Sequence, residues 1–176
     1  AYWRLYREGK IDKEKLRYER LKTVFDRLNY QASDLLIYDL ADAYIQTLPE
    51  YNTLFPGAIS ILETLKSHYA LHMITNGFKD VQHFKMKNSG LLPYFETITD
   101  SSSVGKKKPD PEIFNYALKV GGVRPSEAVM IGDSLEADVE GALNVGMHAI
   151  HFMPVLKRNP THYKEIEQLE ELTFLL

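Results

Sequence analysis

The sequence predicts an α/β protein: a parallel sheet covered by helices on both faces, joined to a small helical piece that precedes it. Three observations carry this reading. From residue 54 onward, short apolar runs alternate with amphipathic stretches, the pattern of a sheet whose parallel strands need a helical crossover between them. Residues 1–53 carry their apolar side chains at helical spacing and contain no convincing strand. Glycine and proline fall mainly where one pattern gives way to the next, as residues that cap, open or stop an element should.

Each element can be justified in turn. Leu16, Leu21, Val24, Phe25 and Leu28, then Leu36, Leu40, Ala43 and Leu48, recur at helical spacing. They predict two amphipathic helices, the second capped by Ser33. Tyr2, Trp3, Tyr6, Arg17, Tyr18 and Arg20 lie in this region. Such residues either touch a substrate or, as aromatic side chains at helical spacing commonly do, fill the core while the arginines face water. Pro56 and Gly57 open a helix with Ile61, Leu62 and Leu65 on one face, and "ALHMIT" reads as a strand ending at Thr75. A helix over 78–89 is closed by Gly90, and a second strand lies around "ETITDSS". Asp110 and Pro111 start a helix that stops at Gly121 and Gly122. "AVMIG" is a third strand, a helix over 136–145 ends at Gly146, and "HAIHF" is a fourth strand. The tail "YKEIEQLEELTFLL" suits a short strand and a last helix equally. The expected organisation is a helical piece over 1–53 and an α/β piece over 54–176.

Composition narrows the function classes. A chain of 176 residues, 44% of them hydrophobic, can bury one sizeable core and a small satellite. The net charge of −3, with basic residues spread along the chain, argues against a nucleic acid polymer as partner. No apolar run approaches the roughly 20 residues that cross a bilayer, so no membrane partner is expected. The absence of cysteine excludes disulfides, thiolate metal sites and a cysteine nucleophile. A soluble, cytoplasmic protein is the expectation. Neither His68 with His72 nor His148 with His151 has the spacing of a shared metal site. The first pair is expected at the surface, the second exposed or held by ordinary hydrogen bonds.

Ligands of open parallel sheets collect outside the carboxyl ends of the strands, and three stretches end there. In "ITNGF", Thr75 leaves a strand while Asn76 and Gly77 turn toward a helix. A hydroxyl beside backbone N–H groups suits an anionic oxygen, and the same three residues also make a good structural turn. In "GKKKPDPEIF", Lys106, Lys107 and Lys108 precede Pro109. A lysine held there would neutralise phosphate charge, although a solvated basic loop reads the same way. Lys108, directly before proline, has the most restricted backbone of the three. In "VMIGDSLEADVEGA", Asp133 follows a strand through Gly132 and Asp138 sits in the first turn of the next helix. Hard carboxylate oxygens suit Mg²⁺, and acids near a helix N-terminus are favourable without any ligand. Together, a hydroxyl, a lysine and a carboxylate pair at successive strand ends make a cradle for a phosphate group and its metal.

"MITNG", "VGKKKPDPEIF" and "MIGDSLEADVEGA" resemble three ordered motifs of the haloacid dehalogenase superfamily, with "LFPGAISILETLK" and "KNSGLLPYFETI" similar to its connecting segments. The resemblance covers most of 54–152. The helical start resembles the cap inserted after the first strand in the C1-capped branch of that superfamily. The fold it implies is a Rossmann-like parallel sheet with a small helical cap. The activity it implies is Mg²⁺-dependent hydrolysis of a phosphate monoester on a small metabolite. By the same resemblance, Thr75, Asn76, Gly77 and Lys108 would bind phosphate and Asp133 would ligate Mg²⁺. Asp138 would support the metal through water. The pyrimidine 5′-nucleotidases look most similar, sugar phosphate phosphatases look similar too, and a metal-free dehalogenase or a non-catalytic binding domain are the other readings.

The superfamily's nucleophile and acid/base lie in an Asp-x-Asp motif ending a first strand at the centre of the sheet. No two aspartates of this sequence are separated by a single residue. The resemblance therefore implies about 40 or 50 residues upstream of Ala1 that carry that strand, and a 176-residue chain without hydrolase activity of its own.

Overall fold

A computed structural model describes residues 2–154 and 163–176. The chain divides into two units, Ala1–Asn52 and Thr53–Leu176.

The first unit holds three helices: α1 (Tyr2–Arg7), α2 (Lys13–Arg27) and α3 (Asp34–Thr47). The sequence pattern predicts the last two. A six-residue helix such as α1 is too short to show a period or to be stable without neighbours. Asp12 caps α2 by accepting from the Lys15 N–H, and Ser33 caps α3 by accepting from that of Leu36. Burial corrects the expected face. Leu16 of α2 and Ile37 and Ala41 of α3 are buried, whereas Val24, Leu28, Leu40 and Ala43 are exposed. Apolar residues cover more than one stripe of α3, and spacing alone cannot say which stripe a partner helix will cover. The polar tips of the aromatic residues bind within the unit. Tyr2 Oη lies 3.0 Å from Thr23 Oγ1, and the Arg20 guanidinium stands 5.7 Å from the Trp3 ring and 5.9 Å from that of Tyr44. Tyr18 donates to Asp34 at 2.5 Å, and this hydrogen bond to a carboxylate pushes its phenol up to about 12.

In the second unit, helix α4 (Ala58–Lys66) leads to strand β1 (His72–Thr75). Helix α5 (Lys79–Asn88) follows, then strand β2 (Thr97–Asp100), which pairs parallel with β1. Helices α6 (Ser101–Val104) and α7 (Pro111–Gly121) precede strand β3 (Val129–Gly132). A turn of π-helix (Leu135–Glu140) runs into α8 (Gly141–Asn144), and strands β4 (His148–Phe152) and β5 (Lys164–Ile166) follow. The last three strands form a parallel sheet in the order β3-β4-β5. The five described strands thus make two separate sheets, with no ladder between β1 and β3.

Three local departures from the sequence reading have physical causes. Ser101 to Ser103 do not extend β2, because the Asp100 carboxylate accepts from the N–H groups of Ser102 and Ser103 and starts α6 there. The helix expected over 136–145 begins as a π-turn, since the N–H groups of Asp138 and Val139 both donate to the Ser134 carbonyl, at 2.8 and 3.3 Å. The tail supplies both candidate elements in sequence: β5, then a 3₁₀ segment at Leu169–Phe174. His72 is also corrected. It is partly buried in β1, with Nδ1 2.8 Å from Oγ1 of its register partner Thr97, while His68 is exposed.

Successive residues of a strand point to opposite faces, and β4 shows the result. Ala149 packs into a cluster with Ile113, Phe114, Leu118, Val139, Ala142 and Met147, while Ile150 joins Ile61, Leu65, Phe152, Ile166 and Leu172. The first cluster rests on α7 and the second on α4, so helices cover both faces as the sequence predicts. Ile113 and Phe114 are fully buried, each contributing about 1.5–3 kcal/mol relative to exposure. These two clusters hold the strand ends at which the polar residues gather.

Candidate active site

Parallel strands all end on the same side, and their registers bring specific residues together. Thr75, the last residue of β1, pairs with Asp100, the last of β2. Gly132, the last of β3, pairs with His151 of β4. The Thr75 hydroxyl accepts from the Gly77 N–H at 3.0 Å, closing a small turn that orients the hydroxyl and leaves its own hydrogen for an acceptor.

Lys108 enters from the loop before α7 and is 8% exposed. Its ammonium donates to the Ile74 carbonyl at 2.8 Å and pairs with Asp138 Oδ1 at 2.7 Å. Asp138 is 4% exposed, and its Oδ2 accepts from the Ser134 N–H at 3.1 Å. Gly132 makes this possible: a Cβ there would collide with the Asp138 side chain. The π-turn and the glycine together fold the Asp138 carboxylate back toward the strand ends, where it neutralises the lysine. A buried charge requires such a partner.

Asn76 turns its side chain to the backbone of Lys108. Its side-chain amide donates to the Lys108 carbonyl at 2.8 Å and accepts from the Lys108 N–H at 2.7 Å. Gly77 likewise uses its N–H on Thr75. Asp133 stands exposed at the tip of β3, and its carbonyl accepts from His151 Nε2 at 3.2 Å. Among the described residues, no three His, Cys, Asp or Glu side chains cluster in a way that could hold a metal ion. The donor set still suits a hard cation in kind, because Mg²⁺ takes one or two protein carboxylates and fills its remaining positions with water and phosphate oxygens. Asp133 is the carboxylate open to it, while Asp138 already serves Lys108.

Two neighbours of the site, Asp100 and His151, are not assigned to it by sequence reasoning. Asp100 is 4% exposed. Burial pushes its carboxyl up, but hydrogen bonds from the hydroxyls and N–H groups of Ser102 and Ser103 outweigh that and leave it below the usual carboxylate range. Its signal was an acid before three serines, which reads as a helix cap. His151 is 6% exposed, with Nδ1 3.8 Å from Glu165 Oε1. Nothing in "HAIHF" distinguishes it from His148, which is exposed.

The second unit thus sets a buried lysine–aspartate pair at the ends of parallel strands that helices cover on both faces. Residues 2–146 match the model of the haloacid dehalogenase-like hydrolases, and the chain belongs to that family. It is 32% identical to YfnB of Bacillus subtilis, over 99% of this chain and 74% of that protein. A structure of YfnB bound to magnesium superposes with a TM-score of 0.87, covering 99% of this chain and 76% of that one. The pyrimidine 5′-nucleotidase YjjG of Escherichia coli is 34% identical over 82% of this chain and 63% of its own length. A phosphatase of the same superfamily from Thermococcus onnurineus is 35% identical, with a TM-score of 0.73 over 99% of this chain and 85% of that one. An L-2-haloacid dehalogenase from Xanthobacter autotrophicus, 20% identical with a TM-score of 0.77, shares the fold. The chain spans about three quarters of YfnB and less of several other relatives, for example 45% of a phosphoserine phosphatase from Thermus thermophilus and 40% of an N-acylneuraminate-9-phosphatase from Rattus norvegicus. No helix among the described residues is long and apolar enough to cross a membrane.

Proposed function

We propose that this chain is the larger part of a cytoplasmic, Mg²⁺-dependent phosphate monoester hydrolase acting on a small metabolite, best matched by a nucleoside 5′-monophosphate. The observation that carries the reading is the buried Lys108 ammonium, held between Asp138 and the carbonyl of Ile74, the residue before Thr75 at the end of β1. Two of its three hydrogens are committed there, and the third is directed to a phosphoryl oxygen in this reading. Thr75 donates its hydroxyl hydrogen to a second phosphoryl oxygen, and backbone at Asn76 and Gly77 lines the same turn. Asp138 pairs with the Lys108 ammonium and holds it in place. Asp133 would hold Mg²⁺ and Asp138 would support it through water, and the ion would supply neutralisation of phosphate charge.

The attacking carboxylate is assigned to an additional Asp-x-Asp strand, placed between β1 and β3 in this reading because no ladder joins those two strands. The first aspartate attacks phosphorus and releases the alcohol, which takes a proton from the second. The second then deprotonates the water that hydrolyses the resulting aspartyl-phosphate. Residues 1–53 are proposed as the cap and 54–176 as the core. The pyrimidine 5′-nucleotidase relatives favour a nucleotide. A sugar phosphate is the second reading, favoured by the 41% identity to a glyceraldehyde 3-phosphate phosphatase of Pyrococcus furiosus over 62% of this chain.

The test is a phosphate-release screen over nucleotides and sugar phosphates, with and without chelator, using protein that carries the additional strand. Asp133→Ala is expected to abolish Mg²⁺-dependent turnover. Normal phosphate release by that variant would refute the assignment, and halide release without metal would point to the dehalogenase chemistry.

A further inference from the structure

We infer that the Asn76 side chain is a positioning residue for Lys108 and does not itself touch the substrate. The inference rests on the reading of Lys108 as a phosphate-binding lysine. Asn76 and Lys108 are 32 residues apart in sequence, yet the amide of Asn76 meets both backbone polar groups of Lys108: Nδ2 donates to its carbonyl at 2.8 Å, and Oδ1 accepts from its N–H at 2.7 Å. A planar amide bound at two points fixes orientation as well as position, which a single hydrogen bond does not. The neighbouring residue Ile74 accepts from Lys108 Nζ at 2.8 Å. The short segment 74–76 therefore grips the lysine at its N–H, its carbonyl and its ammonium. Thr75 lies between the two gripping residues, so the hydroxyl and the ammonium are set by one piece of backbone.

The loop that carries Lys108 lies between α6 and α7 and is not part of a sheet. Without Asn76, its two backbone groups lose their partners in a partly buried place. The lysine would keep its aspartate, but the ammonium would no longer be held in one place relative to Thr75.

The experiment measures binding of inorganic phosphate to the full chain by calorimetry, together with the ¹H–¹⁵N signal of the Lys108 ammonium. The variants are Asn76→Ala, Asn76→Asp, Lys108→Met and the Asn76→Ala/Lys108→Met pair. Asn76→Asp keeps the size of the side chain and the acceptor for the Lys108 N–H, which guards against a variant that simply unfolds. Asn76→Ala is expected to weaken phosphate about 10-fold and to shift or broaden the Lys108 ammonium signal. Asn76→Asp should do so to a smaller extent. Once Lys108 is methionine, Asn76→Ala should have no further effect. An unchanged ammonium signal, or a loss that adds in full to that of Lys108→Met, overturns the positioning role. If Lys108→Met itself binds phosphate normally, the phosphate-site reading fails and takes this inference with it. If Lys108→Met binds weakly while Asn76→Ala binds normally, the positioning role alone is refuted.

Discussion

Lys108 and Asp138 form a pair of side chains that are 10% and 6% exposed, so each is the other's main compensation for leaving water. Lys108→Met would leave the Asp138 carboxylate buried without its cation, and the expected cost is about 3–5 kcal/mol in denaturant unfolding. Adding Asp138→Leu should restore much of that stability. Asp100 makes a separate pH prediction. Its folded carboxyl lies below its ordinary range because hydrogen bonds from Ser102 and Ser103 outweigh the effect of burial. A lowered folded value means that its stabilising contribution is complete above the unfolded value of about 3.9. The contribution is lost as pH falls through the lower folded value. The stability gap between the parent protein and Asp100→Asn should therefore be constant from neutral pH to about 4 and narrow below it, measured by unfolding at stepped pH. At this scale the sequence showed that Thr75, Lys108, Asp133 and Asp138 stand near strand ends. It did not show what Asn76 binds, because that partner lies 32 residues away.

Elements meet at distances that side-chain size decides. Gly141, the first residue of α8, lies against α7: a Cβ there would come 2.7 Å from Phe114 Cε2 and 3.1 Å from Pro109 Cα. Gly141→Ala is expected to destabilise the second unit by about 1–3 kcal/mol through overpacking. A thermal or denaturant melt checks this, and an unchanged midpoint would mean that α8 can shift away at no cost. The sequence reading placed a regular helix across this stretch, since composition favours helix and glycine near the end reads as a stop. The π-turn carries the Asp138 carboxylate to Lys108, 30 residues away in sequence, a tertiary pairing that no local period records. The existence of β1 to β4 was readable, because apolar runs bounded by glycine and polar residues are strong signals, whereas the tail that holds β5 left strand and helix open. The end of β2 was not readable, because an aspartate followed by serines can extend a strand or cap a helix.

At the scale of the molecule, the ladders β1-β2 and β3-β4-β5 are separate, so β1 and β3 each have one edge without a described partner strand. The 176-residue chain is expected to release no phosphate from monoesters, whereas protein carrying the additional Asp-x-Asp strand should do so. Hydrogen exchange at the β1 and β3 amides should slow in the longer protein. Activity of the 176-residue chain equal to that of the longer protein would remove the case for a nucleophile in that strand. What the sequence determined by itself was the α/β class, the placing of most elements and the family. These depend on periodicity, caps and ordered motifs, all of which act within a few residues of the chain. What the tertiary structure decided was which face of α3 is buried, how the strands divide between two sheets, and that Asn76 serves a lysine. Each of these depends on groups that are distant in sequence and adjacent in space, where hydrogen bonds and close packing reach only a few ångströms.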